Sequence, residues 1–176
     1  MTPHCRPLDL QPHREKQVWL HRRPDTSRLT RAWTTWLHGL GPWTHAVTLT
    51  CRRYSVGRRP VTVEILQDAA RHFLRRVNYA CFRRRAKRGR AVPSAVTYGW
   101  GTYEDHPHLH FSLAAPSFMT YAQFSVIVEG AADQVFWVDN QRKIEPYLDD
   151  GWSEYLAKHG ADHLILALLT PTSCHV

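Results

Sequence analysis

The sequence lacks three kinds of feature, and each absence excludes a class of protein. Its 4 cysteines are widely spaced and form no Cys-x-x-Cys pair, which argues against a disulfide framework or a cysteine zinc site and predicts reduced thiols. No apolar stretch approaches the ~20 residues needed to cross a bilayer. The N-terminus is polar and carries Pro, His and Arg early, unlike a secretory signal. These absences predict a cytoplasmic protein with no membrane contact.

Positive charge is in excess. The chain has 23 Lys+Arg against 15 Asp+Glu, a formal net charge of +8. Such an excess favours polyanionic partners, because cationic side chains displace the counterions condensed on phosphates. The hydrophobic content of 43% is ordinary for a globular protein, and 176 residues suit one domain. The charge therefore makes nucleic acid a candidate partner, with a merely basic protein as the alternative.

The spacing of apolar residues predicts one α+β domain. The predicted elements are a helix over 26–40, a strand over 43–54, a helix over 61–88, strands over 94–103 and 108–115, a helix from 117 to about 131, a strand from 134 that reaches 138 or extends to 144, a helix over 152–159 and an apolar run, 164–169, that packs back on the core. Strand–helix–strand–strand–helix–strand is the ferredoxin-like, split βαβ order. It gives an antiparallel sheet with helices packed on one face, and leaves the other face for function. We treat 1–42 as an N-terminal arm and helix, and 43–176 as the rest of a single domain.

Two histidines in the second hairpin strand form a candidate metal site. Residues i and i+2 of a strand point to the same face, so His108 and His110 converge while Leu109 and Phe111 face the core. Imidazole suits first-row divalent metals. With 12 histidines in the chain, about one His-x-His pair is expected by chance. The position of the pair on an apolar strand, where burying a histidine is costly, is what favours a metal site.

A third ligand is expected from the other strand of the hairpin. A three-residue turn sets Glu104 directly across from His108, about 5 Å away, whereas a two-residue turn sets Tyr103 there. Glu104 is the predicted ligand, and Asp105 and His106 are the alternatives.

The last predicted helix carries a tyrosine and a lysine on one face. At about 100° per residue, Tyr155 and Lys158 lie about 60° apart. Trp152 and Leu156, at i and i+4, are predicted to anchor the opposite side to the core. This spacing also occurs in ordinary amphipathic surface helices, which is the alternative interpretation.

Taken together, these motifs resemble the HUH endonucleases, the replication initiators of rolling-circle plasmids and single-stranded DNA viruses. The first motif of that family, a strand with a Thr-Leu-Thr-like run, is matched by 46–50, the second by 107–111 and the third by 155–160. All three occur in the family's order, and the resemblance covers about 43–160. Proteins of this family have the ferredoxin-like sheet predicted above, and 43–176 would be the endonuclease domain.

The resemblance implies a metal-dependent, site-specific single-stranded DNA endonuclease that nicks a replication origin. Mn²⁺ or Mg²⁺, held by His108, His110 and Glu104, would polarise the scissile phosphate, and imidazole ligands favour Mn²⁺. Tyr155 would attack phosphorus, leaving a 5′-phosphotyrosine link and a free 3′-hydroxyl. Because a phenol ordinarily ionises near pH 10, the metal and Lys158 would supply the positive charge that activates it. The implied partners are single-stranded origin DNA, alone or in a hairpin, and a host helicase and polymerase.

The position of the nearest other tyrosine separates subtypes of this family. Members with two catalytic tyrosines keep both on one helix, but Tyr147 is eight residues upstream of Tyr155 and directly follows Pro146. A single-tyrosine enzyme, with Tyr147 as a structural residue, is therefore predicted. The sequence has no Gly-rich Gly-Lys-Ser/Thr loop, so either a host helicase is expected or the protein is a nuclease-only form of the family.

Other functions share parts of this pattern. A transposase or a conjugative relaxase uses the same motifs, although relaxases usually carry three histidines in another arrangement. A non-catalytic ferredoxin-like nucleic-acid-binding module would bind without metal-dependent cleavage. A small hydrolase that activates water would cleave without a covalent adduct.

Basic and aromatic side chains outside the three motifs are the predicted DNA contacts. The basic run at the end of the second helix exceeds what favourable charge at a helix C-terminus requires. Phosphate contacts are predicted for Arg52, Arg53, Arg83, Arg84, Arg85, Lys87 and Arg88, and stacking on unpaired bases for Trp100 and Tyr103. For Trp100, a core position is the alternative.

Overall fold

The predicted order of helices and strands is confirmed. The computed structural model describes residues 26–54, 60–100, 106–148, 150–158 and 161–170, and the predicted arm over 1–25 lies outside them. The helices are α1 (Thr26–Gly39), α2 (Val63–Phe82), α3 (Tyr121–Asp133) and α4 (Asp150–Ala157), and the strands are β1 (His45–Cys51), β2 (Ser94–Trp100), β3 (Pro107–Leu113) and β4 (Val138–Pro146). None of the helices in the described residues combines the length and the apolar character that a membrane span needs.

The four strands form an antiparallel sheet in the order β2-β3-β1-β4. β3 pairs with β1 and β2, and β1 also pairs with β4, so the two central strands are separated in the chain by α2 and β2. This is the strand order of the split βαβ arrangement. The predicted α+β class with a ferredoxin-like antiparallel sheet is confirmed.

The main core lies between the sheet and the helices α2 and α3. Alternation along β3 directs Leu109 and Phe111 to this side, where both are fully buried, as predicted. Phe73 of α2 packs on Phe111 with ring centroids 4.7 Å apart, and Phe124 of α3 joins the same core. Burying each such side chain contributes about 1.5–3 kcal/mol, so these contacts hold both helices firmly on one face.

A smaller core lies on the other side of the sheet. Leu37 of α1, Leu156 of α4 and Ala95 of β2 are buried together there. The predicted packing of helices on one face holds for α2 and α3, while α1 and α4 are an addition on the opposite face. Both are amphipathic and need an apolar partner, which each finds in the other.

The second predicted helix is divided in two. The apolar pattern predicts one helix over 61–88, but the α-helix ends at Phe82 and a 3₁₀-helix covers Arg83–Arg88. Arg83 has φ 51°, in the left-handed region that interrupts a helical backbone. Like charges four residues apart, such as Arg84 and Arg88, also disfavour continuing the α-helix.

The third predicted helix begins later than its apolar pattern indicates. The Thr120 hydroxyl accepts from the backbone N–H of Gln123 at 3.3 Å, and the Gln123 side chain accepts from the backbone N–H of Thr120 at 2.9 Å. This capping box makes Tyr121 the first residue of α3. The strand that follows also begins later, at Val138, because the intervening residues form the turn that ends α3.

The apolar run over 164–169 packs back on the core, as predicted. Leu164 and Ile165 are buried, and Leu164 forms a β-bridge with Thr97 of β2. Since β2 is an edge strand, this run covers an edge that would otherwise present unpaired backbone groups.

A buried histidine links β1 to α3. His45 is fully buried, and its ring stacks on Tyr121 with centroids 4.2 Å apart. Its Nε2 lies 3.1 Å from Ser125 Oγ and its Nδ1 lies 2.7 Å from Thr44 Oγ1. The Ser125 hydroxyl donates to the Tyr121 carbonyl, so Ser125 Oγ accepts from the Nε2–H of a neutral ring. Burial correspondingly lowers the pKa of His45.

We expect the free energy of unfolding to fall as the pH decreases below neutrality, and to fall less in the His45→Gln variant than in the parent protein. Because the folded pKa lies below the ordinary value of 6.5, the unfolded chain takes up a proton first. The stability that neutral His45 contributes is therefore fully present above pH 6.5 and is lost as the pH falls towards the pKa of His45 in the folded protein. Urea unfolding at about pH 7.5 and about pH 5.5 measures the change in unfolding free energy. Burial also lowers the pKa of His108, so a dependence of the same sign should remain in the variant. An identical pH dependence in the variant and the parent would contradict this assignment.

Two of the cysteines are free, buried thiols. Burial, with a smaller contribution from the charge of Asp139, raises the pKa of Cys51 to about 12, and burial raises that of Cys81 to about 11. Neither is a thiolate near neutral pH, so neither is an activated nucleophile. Reduced thiols are confirmed at these two positions, whereas Cys5 and Cys174 lie outside the described residues.

Candidate active site

Two imidazoles lie side by side on β3, on the face opposite the main core. Leu109 and Phe111 turn into that core, so His108 and His110 turn the other way. Their ring centroids are 5.9 Å apart and their planes are 12° from parallel. His110 is buried and His108 is partly exposed. The predicted convergence of the two histidines on one face is confirmed.

The neighbouring strands orient the imidazoles and leave room beside them. Thr48 and Thr50 of β1 lie opposite His110 and His108, and Thr48 Oγ1 is 3.1 Å from His110 Nδ1. On β2, a Cβ added at Gly99 would lie 3.7 Å from His110 Nε2. The missing side chain at Gly99 therefore leaves space next to the nitrogen that a metal would use, while the threonine hydroxyl holds the other nitrogen.

Burial favours the neutral form of His108. Desolvation lowers the pKa of this imidazole and the nearby charge of His106 acts in the same direction, against backbone hydrogen bonds that raise it. The neutral ring is the form that ligates metals. Together with the room beside His110, this makes the pair suitable as two ligands of a first-row divalent ion.

Glu104 does not lie directly across from His108, so the predicted register is wrong. β2 pairs Gly99 with His108, and Gly99 precedes Glu104 by five residues in the sequence. Spacing alone did not indicate where β2 ends. Glu104 and Asp105 lie outside the described residues, and the described part of the chain contains no group of three His, Cys, Asp or Glu side chains that could hold a metal. The third ligand stays a prediction.

Tyr155 of α4 meets the imidazole pair. Its ring stands edge-on to His110, with centroids 5.1 Å apart and planes at 90°. Trp152, one turn earlier, contacts both rings, with its centroid 5.8 Å from that of His110 and 5.4 Å from that of Tyr155. Leu156 is buried and Trp152 packs against the smaller core, so the predicted anchoring of this helix is confirmed. The prediction that Trp152 lies on the side opposite Tyr155 is wrong, because the two rings stack on each other. Tyr155 stays 44% exposed, so the ring is held while the phenol is accessible.

Lys158 shares the accessible face of α4 with Tyr155, as predicted. Both side chains line a groove between α4 and α1. Arg31 of α1 lines the same groove and is a second cation near the phenol, which the sequence analysis did not identify. No local pattern marks it, because its position depends on how α1 packs against α4.

Tyr147 has the surroundings of a structural residue. Its hydroxyl lies 2.7 Å from Ser153 Oγ and 3.3 Å from His38 Nδ1, and its ring packs against the smaller core. These contacts connect α1 to the segment that leads into α4. They agree with the predicted structural role of Tyr147.

The predicted phosphate contacts lie at opposite ends of the sheet. Arg52 and its neighbour Arg53 follow β1 at the end where His108 lies. The exposed run Arg83–Arg88 precedes β2 at the other end. Gly99 of β2 pairs with His108 and lies five residues after Ser94, which is about 17 Å along the strand at ~3.3 Å per residue. The two basic groups are therefore too far apart to contact the same phosphate.

The predicted stacking residues lie at the hairpin. Trp100, the last residue of β2, is 40% exposed, so the alternative of a core position is wrong. It pairs with Pro107, at the same end of the sheet as His108. Tyr103 lies outside the described residues.

β4 adds a cation, Lys143, that no sequence pattern indicated. Lys143 pairs with Thr48, which pairs with His110, so all three share one face of the sheet. Its Nζ lies 2.9 Å from the Glu145 carboxylate. Two strand spacings, about 10 Å, separate it from His110. Polar residues on both sides of β4 gave no indication of its orientation.

Comparisons with protein-family models, with curated proteins and with solved structures give no match for this chain. The site combines two imidazoles suited to a divalent ion, an accessible phenol and nearby cations on one side of the sheet. This set of groups is suited to reaction at a phosphodiester.

Proposed function

We propose that the protein is a metal-dependent, site-specific single-stranded DNA endonuclease that nicks a replication origin and so starts rolling-circle replication. The convergence of three side chains is the observation that carries this proposal. His110 lies between His108 and Tyr155, with ring centroids 5.9 Å and 5.1 Å away. The order of the three motifs, which resembles that of the HUH endonucleases, and the ferredoxin-like sheet support the same function.

Mn²⁺ or Mg²⁺ is the proposed cofactor, with His108 and His110 as ligands and Glu104 as the predicted third. A bound ion of this kind withdraws charge from the phosphate oxygens and so favours attack at phosphorus. Thr48 engages His110 through Nδ1, which directs Nε2 towards the space beside Gly99. Imidazole ligands favour Mn²⁺ over Mg²⁺.

Residues of the chain account for the bonds that change. Tyr155 Oη loses its proton and forms a bond to the scissile phosphorus, while the bond from phosphorus to O3′ breaks and O3′ takes up a proton. The products are a 5′-phosphotyrosine link and a free 3′-hydroxyl. Trp152 stacks on the Tyr155 ring and His110 stands edge-on to it, and the two contacts orient the phenol. Lys158 offsets negative charge on the phosphate during the reaction and in the adduct.

The products define the proposed partners. A free 3′-hydroxyl is a primer, so a host polymerase is one partner, and a helicase that unwinds the template is another. The substrate is single-stranded DNA at an origin, either open or exposed by a hairpin. A transposase or relaxase would use the same chemistry on different DNA ends, and the sequences of rejoined products separate these cases.

A covalent-adduct assay tests the proposal. The protein is incubated with end-labelled single-stranded origin DNA and Mn²⁺, denatured and separated by electrophoresis. A labelled band at the protein's position supports the tyrosine endonuclease. Cleavage without an adduct would indicate a hydrolase that uses water, and binding without cleavage would indicate a non-catalytic nucleic-acid-binding module.

Replacing Arg84, Arg85 and Arg88 with Ala should weaken the binding of long DNA much more than that of short DNA. These side chains are exposed and lie about 17 Å or more from the imidazole end of the sheet, beyond the reach of a short strand. Each lost phosphate contact should lower the slope of log K against log[salt] by about 0.7, or about 2 for all three. Salt titrations with strands of about 3 and about 30 nucleotides measure this.

The Lys variant of the same three positions is the matched control. It keeps the charges, so it should keep most of the salt dependence. Equal weakening of both strand lengths by the Ala variant would contradict a remote phosphate contact.

A further inference from the structure

A groove of about 1010 Å³ lies between α1 and α4. The residues that line it include Thr30, Arg31 and Thr35 of α1 and Glu154, Tyr155 and Lys158 of α4. On each helix these positions are mostly three to five residues apart, which places them along one stripe of that helix. We call this feature the α1–α4 groove.

The cations of the α1–α4 groove are available to a ligand. In the described residues, the ion pairs of the chain involve neither Arg31 nor Lys158. The apolar side of α1, including Leu37, turns into the smaller core instead. Two cations that line one groove repel each other, so their placement favours an anionic occupant.

Tyr155 belongs to both the α1–α4 groove and the imidazole site. Its ring lines the groove and also stands edge-on to His110 at 5.1 Å. When one phosphate of a DNA strand lies at the Tyr155 phenol, the neighbouring nucleotides of that strand must lie along the surface next to Tyr155. The groove includes this residue and has hydroxyls and cations on both of its walls.

We propose that the α1–α4 groove binds the single-stranded segment adjoining the scissile phosphate. Arg31 and Lys158 contact its phosphates, and the hydroxyls of Thr30 and Thr35 donate to phosphate oxygens. This inference rests on the proposed endonuclease function and assigns α1, which lies outside all three motifs, to its substrate site. The carboxylate of Glu154 repels the same phosphates and lowers the affinity.

Binding measurements in a Tyr155→Phe background test the groove without forming an adduct. Fluorescence anisotropy with a labelled single strand should show about tenfold weaker binding for Arg31→Ala and a salt slope lower by about 0.7. Arg31→Lys should keep most of the affinity. Glu154→Gln should strengthen binding about three- to fivefold, because it removes a repulsive charge.

Arg71→Ala is the matched control. Arg71 is also an exposed helical arginine, but it lies on α2 and forms an ion pair with Asp68. Its removal should leave the affinity unchanged. Melting curves of the Arg31 variants should match those of the parent, because this side chain is exposed.

Unchanged affinity in Arg31→Ala, or weaker binding in Glu154→Gln, would overturn the groove assignment. The endonuclease itself has a separate readout, the adduct formed by the chain with Tyr155 intact. If an adduct forms but binding does not depend on Arg31, the groove assignment is refuted and the endonuclease function is supported. If the chain with Tyr155 intact forms no adduct, the endonuclease function is refuted, and the groove inference that rests on it is refuted as well.

Discussion

Tyr155→Phe should reduce the yield of denaturant-resistant protein–DNA adduct by about 10³-fold or more, because it removes the only nucleophile of the proposed reaction. The change deletes one hydroxyl and keeps the ring, so the contacts with His110 and Trp152 persist. Loss of the adduct would therefore reflect chemistry and not unfolding. Electrophoresis of labelled DNA under denaturing conditions, in the presence of Mn²⁺, measures the yield.

Two other tyrosines provide controls for this variant. Tyr79 is 48% exposed, close to the 44% of Tyr155, but lies on α2, on the other side of the sheet. Tyr79→Phe should therefore keep the full yield. Tyr147→Phe should also form the adduct, with stability lower by about 1 kcal/mol from the lost hydrogen bond to Ser153. Undiminished adduct in Tyr155→Phe, or its loss in Tyr147→Phe, would refute the single-tyrosine assignment.

The double variant His108→Ala/His110→Ala should bind Mn²⁺ at least about 100-fold more weakly and form no detectable adduct. Even changes to groups that only orient metal ligands cost about 10–100-fold in affinity, and these two imidazoles are the proposed ligands themselves. Calorimetric titration with Mn²⁺ measures the affinity. A chelator should likewise abolish adduct formation by the parent protein, and added Mn²⁺ should restore it.

His72→Ala is the control for the loss of an imidazole. His72 lies on α2, where its Nε2 accepts from Arg76, and it faces neither Tyr155 nor the imidazole pair. The Mn²⁺ affinity of the His72→Ala variant should equal that of the parent protein. Glu104→Gln tests the predicted third ligand and should cause a smaller loss than the double variant. Unchanged Mn²⁺ affinity in the double variant would rule out the proposed metal site.

Local sequence patterns predicted the elements of the fold but not all of their ends. Alternation of apolar residues on β3 was sufficient to place Leu109 and Phe111 in the main core, because neighbours in a strand must face opposite sides. The break after Phe82 was not predictable in the same way. It depends on one backbone angle at Arg83, to which hydrophobic periodicity is insensitive.

In the candidate site, too, some features follow from local sequence patterns and others do not. The orientation of His108 with His110, and of Tyr155 with Lys158, follows from spacing within one element. The partner across from His108 did not follow, because the register places Gly99 there instead of Glu104. Register depends on the length of the hairpin connection, which the sequence left open.

By itself, the sequence determined which side chains share a face, since the period of a strand or helix is a local property. It also determined the motif order that the proposed function depends on. Only the tertiary structure decided that α4 lies over β3 with Tyr155 against His110, and that α1 adds Arg31 to the same region. The physical reason is that these contacts form when two amphipathic helices bury their apolar sides together over the second face of the sheet. That choice of partner depends on the shapes of surfaces brought together from distant parts of the chain.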